Sequence, residues 1–180
     1  MDFAELAAAL AGRVRGRSAA CGSVRVTAID GRSGAGKTSL ALSLADELGA
    51  PILHLERLYP GWGGLAKTPP MVRDLLAQLA IGERGTATTW DWVAAGPGGT
   101  LSVLPTTDLI IEGVGAGARI LRPFLSQLVW VQSPADVRRA RAIARDGEVY
   151  APHWDTWAAQ EVEYLSSDRT REVADVVIRT

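Results

Sequence analysis

Cysteine is all but absent: Cys21 stands alone in 180 residues. An intrachain disulfide, a cysteine-built zinc ribbon and a dithiol redox pair are therefore excluded, and a reducing compartment suits the chain. Positive charge is not in excess either, with 19 Lys and Arg against 20 Asp and Glu, a net charge of -1 and a pI near 6.1. That balance argues against a nucleic-acid backbone as the main partner, since such domains usually carry a net basic face. No apolar run approaches the roughly 20 residues that span a bilayer. The first residues carry Asp2 and Glu5 where a signal peptide would need lysine or arginine. The expectation is a cytoplasmic protein with no membrane and no nucleic-acid partner.

What is present is enough apolar material for one core. The composition is 47% hydrophobic and 22% charged, and this length fits a single domain over residues 1–180. Phe3, Leu6, Ala7 and Leu10 repeat at helical spacing, whereas Val24, Val26, Ala28 and Ile29 form a β-rich run. Pro51–Glu56, Asp108–Glu112, Leu128–Val131 and Asp175–Ile178 read as further strands. Lys37–Leu48, Pro69–Ile81, Pro134–Arg145 and His153–Leu165 read as helices between them. Strands that alternate with helices predict a parallel sheet. One stretch breaks the rhythm: Thr86–Trp92 and Thr100–Leu104 flank the turn-prone Ala94–Gly99, which predicts a β-hairpin over about 85–105 lying off the main sheet.

Lysine is as scarce as histidine, with Lys37 and Lys67 set against seventeen arginines. Lys37 falls in Gly31-Arg-Ser-Gly-Ala-Gly-Lys-Thr, between a predicted strand and a predicted helix, and the segment matches G-x-x-x-x-G-K-[ST]. In such a phosphate loop the glycines let backbone N–H groups converge on phosphate oxygens, and the helix N-terminus adds its dipole. Gly31, Ser33, Gly34, Ala35, Gly36, Lys37, Thr38 and Ser39 are the expected ATP-binding residues. Lys37 would reach the outer phosphates, and the Thr38 hydroxyl would ligate Mg2+.

Ligands of open α/β sheets sit beyond the carboxyl ends of the strands. Glu112, after Asp108-Leu-Ile-Ile, is the expected partner of Thr38 at the metal. Glu56, at the end of the strand read as Pro51–Glu56, is the candidate base toward a substrate hydroxyl. Arg138, Arg141 and Arg145 follow one another at i, i+3 and i+7 and share a helix face. Their mutual repulsion makes sense if an anion arrives there. Tyr59, Trp62, Trp90 and Trp92 are expected around an acceptor, with Asp91 placed to read a polar edge and Trp90 and Trp92 sharing a strand face. Trp130 is assigned to the core. His54, inside a strand, is read as a core histidine, and His153 as structural or solvent-facing.

The phosphate loop, His54-Leu-Glu-Arg-Leu-Tyr, Ile110-Ile-Glu-Gly and Arg138-Arg-Ala-Arg-Ala-Ile-Ala-Arg-Asp together resemble the uridine kinase-like branch of P-loop NTPase kinases over Val24–Ile178. The resemblance implies an α/β three-layer sandwich with a five-stranded parallel sheet flanked by helices. It also implies ATP and Mg2+ as cofactors, a lid followed by a helix within 134–168, and a hairpin covering the acceptor. By position, Thr38 and Glu112 would hold magnesium and Glu56 would take the place of the base. Arg141 and Arg145 would contact phosphates, and Arg138 would lie near the adenine. The family usually has aspartate at the position of Glu56, within Asp-Asp-x-Tyr, whereas Arg57 follows here. The leading expectation is an ATP-dependent kinase acting on a hydroxyl of a small, nucleoside-like molecule. Two alternatives stand beside it: a regulatory ATP-binding protein with slow hydrolysis, and a nucleoside monophosphate kinase drawing on Arg73, Arg119 and Arg122.

Overall fold

A strand whose interior is apolar throughout survives only if both faces of its sheet are covered, and Asp108–Glu112, with Leu109, Ile110 and Ile111 between its two acids, is buried along its whole length. The computed structural model describes residues 3–180, apart from the side chains of Asp146 and Glu148. Its main sheet has five parallel strands: β1 (Arg25–Asp30), β2 (Ile52–His54), β5 (Asp108–Glu112), β6 (Gln127–Gln132) and β7 (Val176–Arg179), in the spatial order β2-β5-β1-β6-β7. The remaining strands, β3 (Gly85–Asp91) and β4 (Gly96–Val103), pair antiparallel as a separate hairpin.

Two apolar layers enclose the sheet. On one face α1 (Phe3–Arg15) and α2 (Lys37–Leu48) bring Ala7, Leu10, Leu40 and Leu44 onto Ile29, Ile110, Val129 and Ile178. On the other, α3 (Thr68–Ala80) and α5 (Trp154–Asp168) set Val72, Leu75, Leu76 and Trp157 in the cluster of Val26, Ala28, Leu109 and Ile111. Between β6 and α5 runs α4 (Ala135–Tyr150), and the short α6 (Thr170–Val173) precedes β7. Trp130 is buried.

The second strand is shorter than its apolar pattern predicts. It stops at His54, and Leu55–Arg57 form a turn of 3-10 helix that turns Leu55, Leu58 and Tyr59 into the core. Glu56 consequently stands exposed on that turn and not at a strand end. The hairpin turn is also displaced. Gly96–Gly99 belong to β4, and Trp92–Ala95 make the turn, because the Asp91 carboxylate accepts the N–H groups of Val93 and Ala94, each at 2.9 Å. Trp92 thus lies beyond the strand that carries Trp90, and the two do not share a strand face.

The chain enters the sheet at β1, crosses to the β2 edge, returns through β5 and leaves on the other side through β6 and β7. The order reverses at β1, so the segment that follows it opens at a switch point, where open α/β sheets hold their ligands.

Candidate active site

That segment is the glycine loop. Gly34 has φ 77°, and a β-carbon there would lie 2.1 Å from the Arg138 carbonyl oxygen; one at Gly31 would lie 2.1 Å from that of Val131. Only glycine lets the loop pack this closely against α4 and β6. The loop leads into α2 at Lys37, with no side chain capping the helix end, and the free N–H groups of such an end suit an anion. The Lys37 ammonium rests 3.1 Å from the Arg32 carbonyl. Burial pushes its pKa down from the ordinary value, while the charges of Glu112, Glu161 and Asp30 hold it up.

Glu112, buried at the end of β5, brings both carboxylate oxygens to 3.4 Å from the Thr38 hydroxyl. His54 Nδ1 lies 2.7 Å from Glu112 Oε1. His54 is therefore no core histidine but a half-buried partner of the acid, and that hydrogen bond raises its pKa. A raised folded-state pKa means the pair stabilises fully below about 6.5 and loses its contribution as pH rises through the folded value. Denaturant titrations of wild type and His54→Gln across that range are expected to show a stability gap that narrows as pH increases. A gap independent of pH would contradict the charged pair.

Three supporting residues escaped the sequence reading. Glu161, on α5 and 1% exposed, accepts the Ser33 N–H at 2.7 Å and Arg32 Nε at 2.9 Å. Its signal was available, because Trp154, Trp157 and Glu161 lie at i, i+3 and i+7 and are all buried. Gln160 clamps the loop before α3, donating to the Trp62 carbonyl at 2.7 Å and accepting the Leu65 N–H at 3.3 Å. Asp30, fully buried ahead of the glycine loop, accepts from Gly31, Gly115, Gly117 and Tyr164. Burial raises its pKa; those hydrogen bonds and the Lys37 charge oppose the rise.

The three arginines of α4 separate in depth. Arg138 is buried, donates to the Ser33 and Ser133 carbonyls at 3.1 and 3.2 Å, and lies over the Trp154 ring. Arg141 is exposed and reaches the Thr180 hydroxyl at 3.1 Å. Arg145 lines two adjoining cavities. The first, about 270 Å³, is bounded by Gly34, Gly36, Lys37, Thr38, Ser39 and Arg141. The second, about 420 Å³, is bounded by Ser33, Glu56, Tyr59, Trp62, Trp92, Val149, Tyr150 and Trp157. A larger crevice of about 820 Å³ lies between α6, β7 and the start of α4. Lys37, Thr38 and Glu112 do not border it, so chemistry, not size, selects the adjoining pair.

Trp62 is the centre of the aromatic wall. It stacks on His153 at 4.4 Å and on Tyr150 at 5.2 Å, and packs at 4.8 Å against Trp92, whose N–H donates to the Glu56 carbonyl at 3.1 Å. Neither Trp90 nor Asp91 borders this cavity: Trp90 lies beside Gly61, and Asp91 is spent on the hairpin turn.

The fold and its loop define the class: a three-layer α/β sandwich whose five-stranded parallel sheet carries a glycine loop of phosphate-loop sequence at its switch point. A proposed uridine kinase from Bacillus stearothermophilus is similar over 99% of this chain and 100% of its own, with a TM-score of 0.70 at 22% identity. A proposed fructose transport system kinase from a Silicibacter species is similar over 98% of each chain, with a TM-score of 0.61 at 19% identity. At these identities the likeness concerns the fold. No family model matches the chain, and no curated protein does. Among the described residues, no helix is long and apolar enough to cross a membrane.

Proposed function

We propose that this chain is an ATP- and Mg2+-dependent kinase that phosphorylates a hydroxyl of a small molecule. The observation that carries the reading is the junction of the phosphate-loop cavity with the aromatic cavity at Arg145. An acceptor held in one would face the outer phosphate held in the other. Gly31, Ser33, Gly34, Ala35, Gly36 and Ser39 would cradle the triphosphate, and Lys37 would neutralise its outer oxygens.

A divalent ion fits the donor set. Among the described residues no three metal-binding side chains cluster, yet the Thr38 hydroxyl and the Glu112 carboxylate converge beside the loop. Magnesium is typically held by one or two protein oxygens together with phosphates, and when bound it supplies charge neutralisation. Arg141 and Arg145 would add positive charge from the lid side, as α4 and α5 within 134–168 act as lid and following helix. Arg138 would support the loop from beneath through Ser33.

In the transfer, the acceptor oxygen bonds to the γ-phosphorus as the bond to the leaving ADP oxygen breaks, and Glu56 accepts the hydroxyl proton. Glu56→Gln is expected to lower kcat by about 10²-fold or more while ATP binding is retained. Unchanged turnover in a coupled ADP-release assay would remove Glu56 from the base role.

A second reading, a regulatory protein with slow hydrolysis, draws support from the exposed position of Glu56 beside Arg57 on the 3-10 turn. ADP release that no alcohol accelerates favours it. Release that requires an acceptor favours the kinase.

A further inference from the structure

The crevice of about 820 Å³ between α6, β7 and the start of α4 takes no part in the transfer described above. It opens on the α5 face of the sheet, away from α2. Along β6 and β7, its residues Trp130, Gln132 and Arg179 alternate with Val129, Val131 and Ile178, which pack under α1 and α2. Among the described residues it is lined by five arginines, Arg32, Arg138, Arg169, Arg171 and Arg179, and a single acid, Glu172. The whole chain has a net charge of -1, so this is a local concentration of positive charge.

Pairing leaves much of that charge unanswered. Glu172 takes Arg169, and the buried Glu161 takes Arg32 at 2.9 Å while standing 4.0 Å from Arg138. Arg171 and Arg179 enter no hydrogen bond or ion pair among the described residues. Arg32 donates through Nε and Nη2 to Glu161 and Ala158, and Arg138 through Nε and Nη1 to Ser133 and Ser33. One guanidinium nitrogen of each is left without a partner. Burial, and then the charge of Arg32, push the Arg138 pKa down, a sign of the repulsion stored there. Guanidinium forks match the several oxygens of a phosphate, whereas a cationic or neutral ligand would leave the excess charge standing. The volume falls in the range of small-molecule pockets and exceeds what a lone phosphate fills.

We infer that this crevice is an effector site for a small molecule carrying two or more phosphate groups, gripped by Arg32, Arg138, Arg171 and Arg179, and that its occupation weakens ATP at the phosphate loop. The link runs through Arg32, the second residue of that loop. Its partner Glu161 also accepts the Ser33 N–H at 2.7 Å, and the charge of Glu161 acts on Lys37. An anion that draws Arg32 toward the crevice leaves Glu161 less neutralised beside the loop and adds negative charge of its own. Both effects oppose a triphosphate. The site stands without the kinase reading, and its effect on ATP rests only on the nucleotide-binding part of that reading.

The test is isothermal titration at about 0.15 M ionic strength, where long-range attraction is screened. Fructose bisphosphate is the probe, with fructose monophosphate and sulfate beside it. The bisphosphate is expected to bind nucleotide-free wild type and Lys37→Met alike, at least about tenfold more tightly than the monophosphate. The double variant Arg171→Gln/Arg179→Gln is expected to bind it at least about tenfold more weakly than wild type. Both side chains are exposed, and binding of a nonhydrolysable ATP analogue by the variant verifies its fold. Loading wild type with that analogue and Mg2+ is expected to weaken the bisphosphate about fivefold or more, since coupling between two sites is reciprocal. Binding lost in Lys37→Met but kept in the arginine variant would put the ligand in the phosphate loop and overturn the inference. Sulfate that binds as tightly as the bisphosphate, or no binding at all, also overturns it. An unchanged affinity in the loaded protein overturns the effect on ATP. Bisphosphate binding by a protein that forms no ADP from any alcohol supports the site and overturns the kinase reading. Acceptor-dependent ADP release without bisphosphate binding does the reverse.

Discussion

Lys37→Met is expected to lower ATP turnover by about 10²–10³-fold, the scale of losing one preorganised charge at a reacting oxyanion. Folding should be little affected. Lys37 is buried, and desolvation works against its charge, so an unbranched apolar side chain of similar length removes an unfavourable term as well as a favourable one. The three carboxylates that face the ammonium keep other partners: Glu112 has His54, Glu161 has Arg32, and Asp30 has four donors. Steady-state ADP release measured beside a urea unfolding curve separates the two effects. Loss of activity with an unchanged midpoint supports the phosphate role, whereas parallel loss of both would make Lys37 a structural residue.

The phosphate loop was legible because its chemistry demands a contiguous sequence. Backbone N–H groups must converge within one turn, so glycine spacing, lysine and threonine appear side by side at Gly31–Thr38. The sheet was legible for a similar reason, since strands such as Asp108–Glu112 are covered on both faces and leave an unbroken apolar run. Where geometry depends on partners distant in sequence, the reading thinned. Glu56 looked like the end of a strand because Pro51–Leu55 is apolar apart from His54, but Leu55, Leu58 and Tyr59 must all reach the core, and a 3-10 turn satisfies that spacing. Asp91 between two tryptophans looked like a reader of substrate, yet a short acid before a turn finds backbone N–H groups closer than any ligand.

The helix face of Arg138, Arg141 and Arg145 shows both sides of this limit. Periodicity places the three on one stripe but says nothing of depth. Arg138, near the start of α4, is taken up by the Ser33 and Ser133 carbonyls, while Arg145 lies one turn beyond Arg141 and borders both cavities. Glu161 and Gln160 were hidden for another reason. Their partners are backbone groups of the phosphate loop and of the Trp62 loop, and sequence patterns do not display backbone demand.

Asp30 is the extreme case, and its replacement carries the largest expected loss of stability. It ends β1 with its carboxylate fully buried. Oδ1 accepts the Gly31 N–H at 2.6 Å and that of Gly115 at 3.1 Å; Oδ2 accepts the Gly117 N–H at 2.9 Å and the Tyr164 hydroxyl at 2.8 Å. One side chain thus joins the entrance of the phosphate loop, the turn after β5 and the last part of α5. In Asp30→Ala three backbone N–H groups lose their acceptor in a buried site, and the Tyr164 hydroxyl keeps only Thr170 as a partner. Each orphaned donor costs about 1–3 kcal/mol, and because they share one acceptor the losses are less than additive, so about 3–5 kcal/mol is expected from urea unfolding. Asp30→Asn should fall between. Its amide oxygen replaces one carboxylate oxygen, but its NH2 group cannot accept the donors that remain. ATP affinity should fall in the same order, alanine below asparagine below wild type, because the Gly31 N–H that Asp30 holds sets where the loop begins. An alanine variant as stable as wild type would show that the acid is held by the fold instead of holding it.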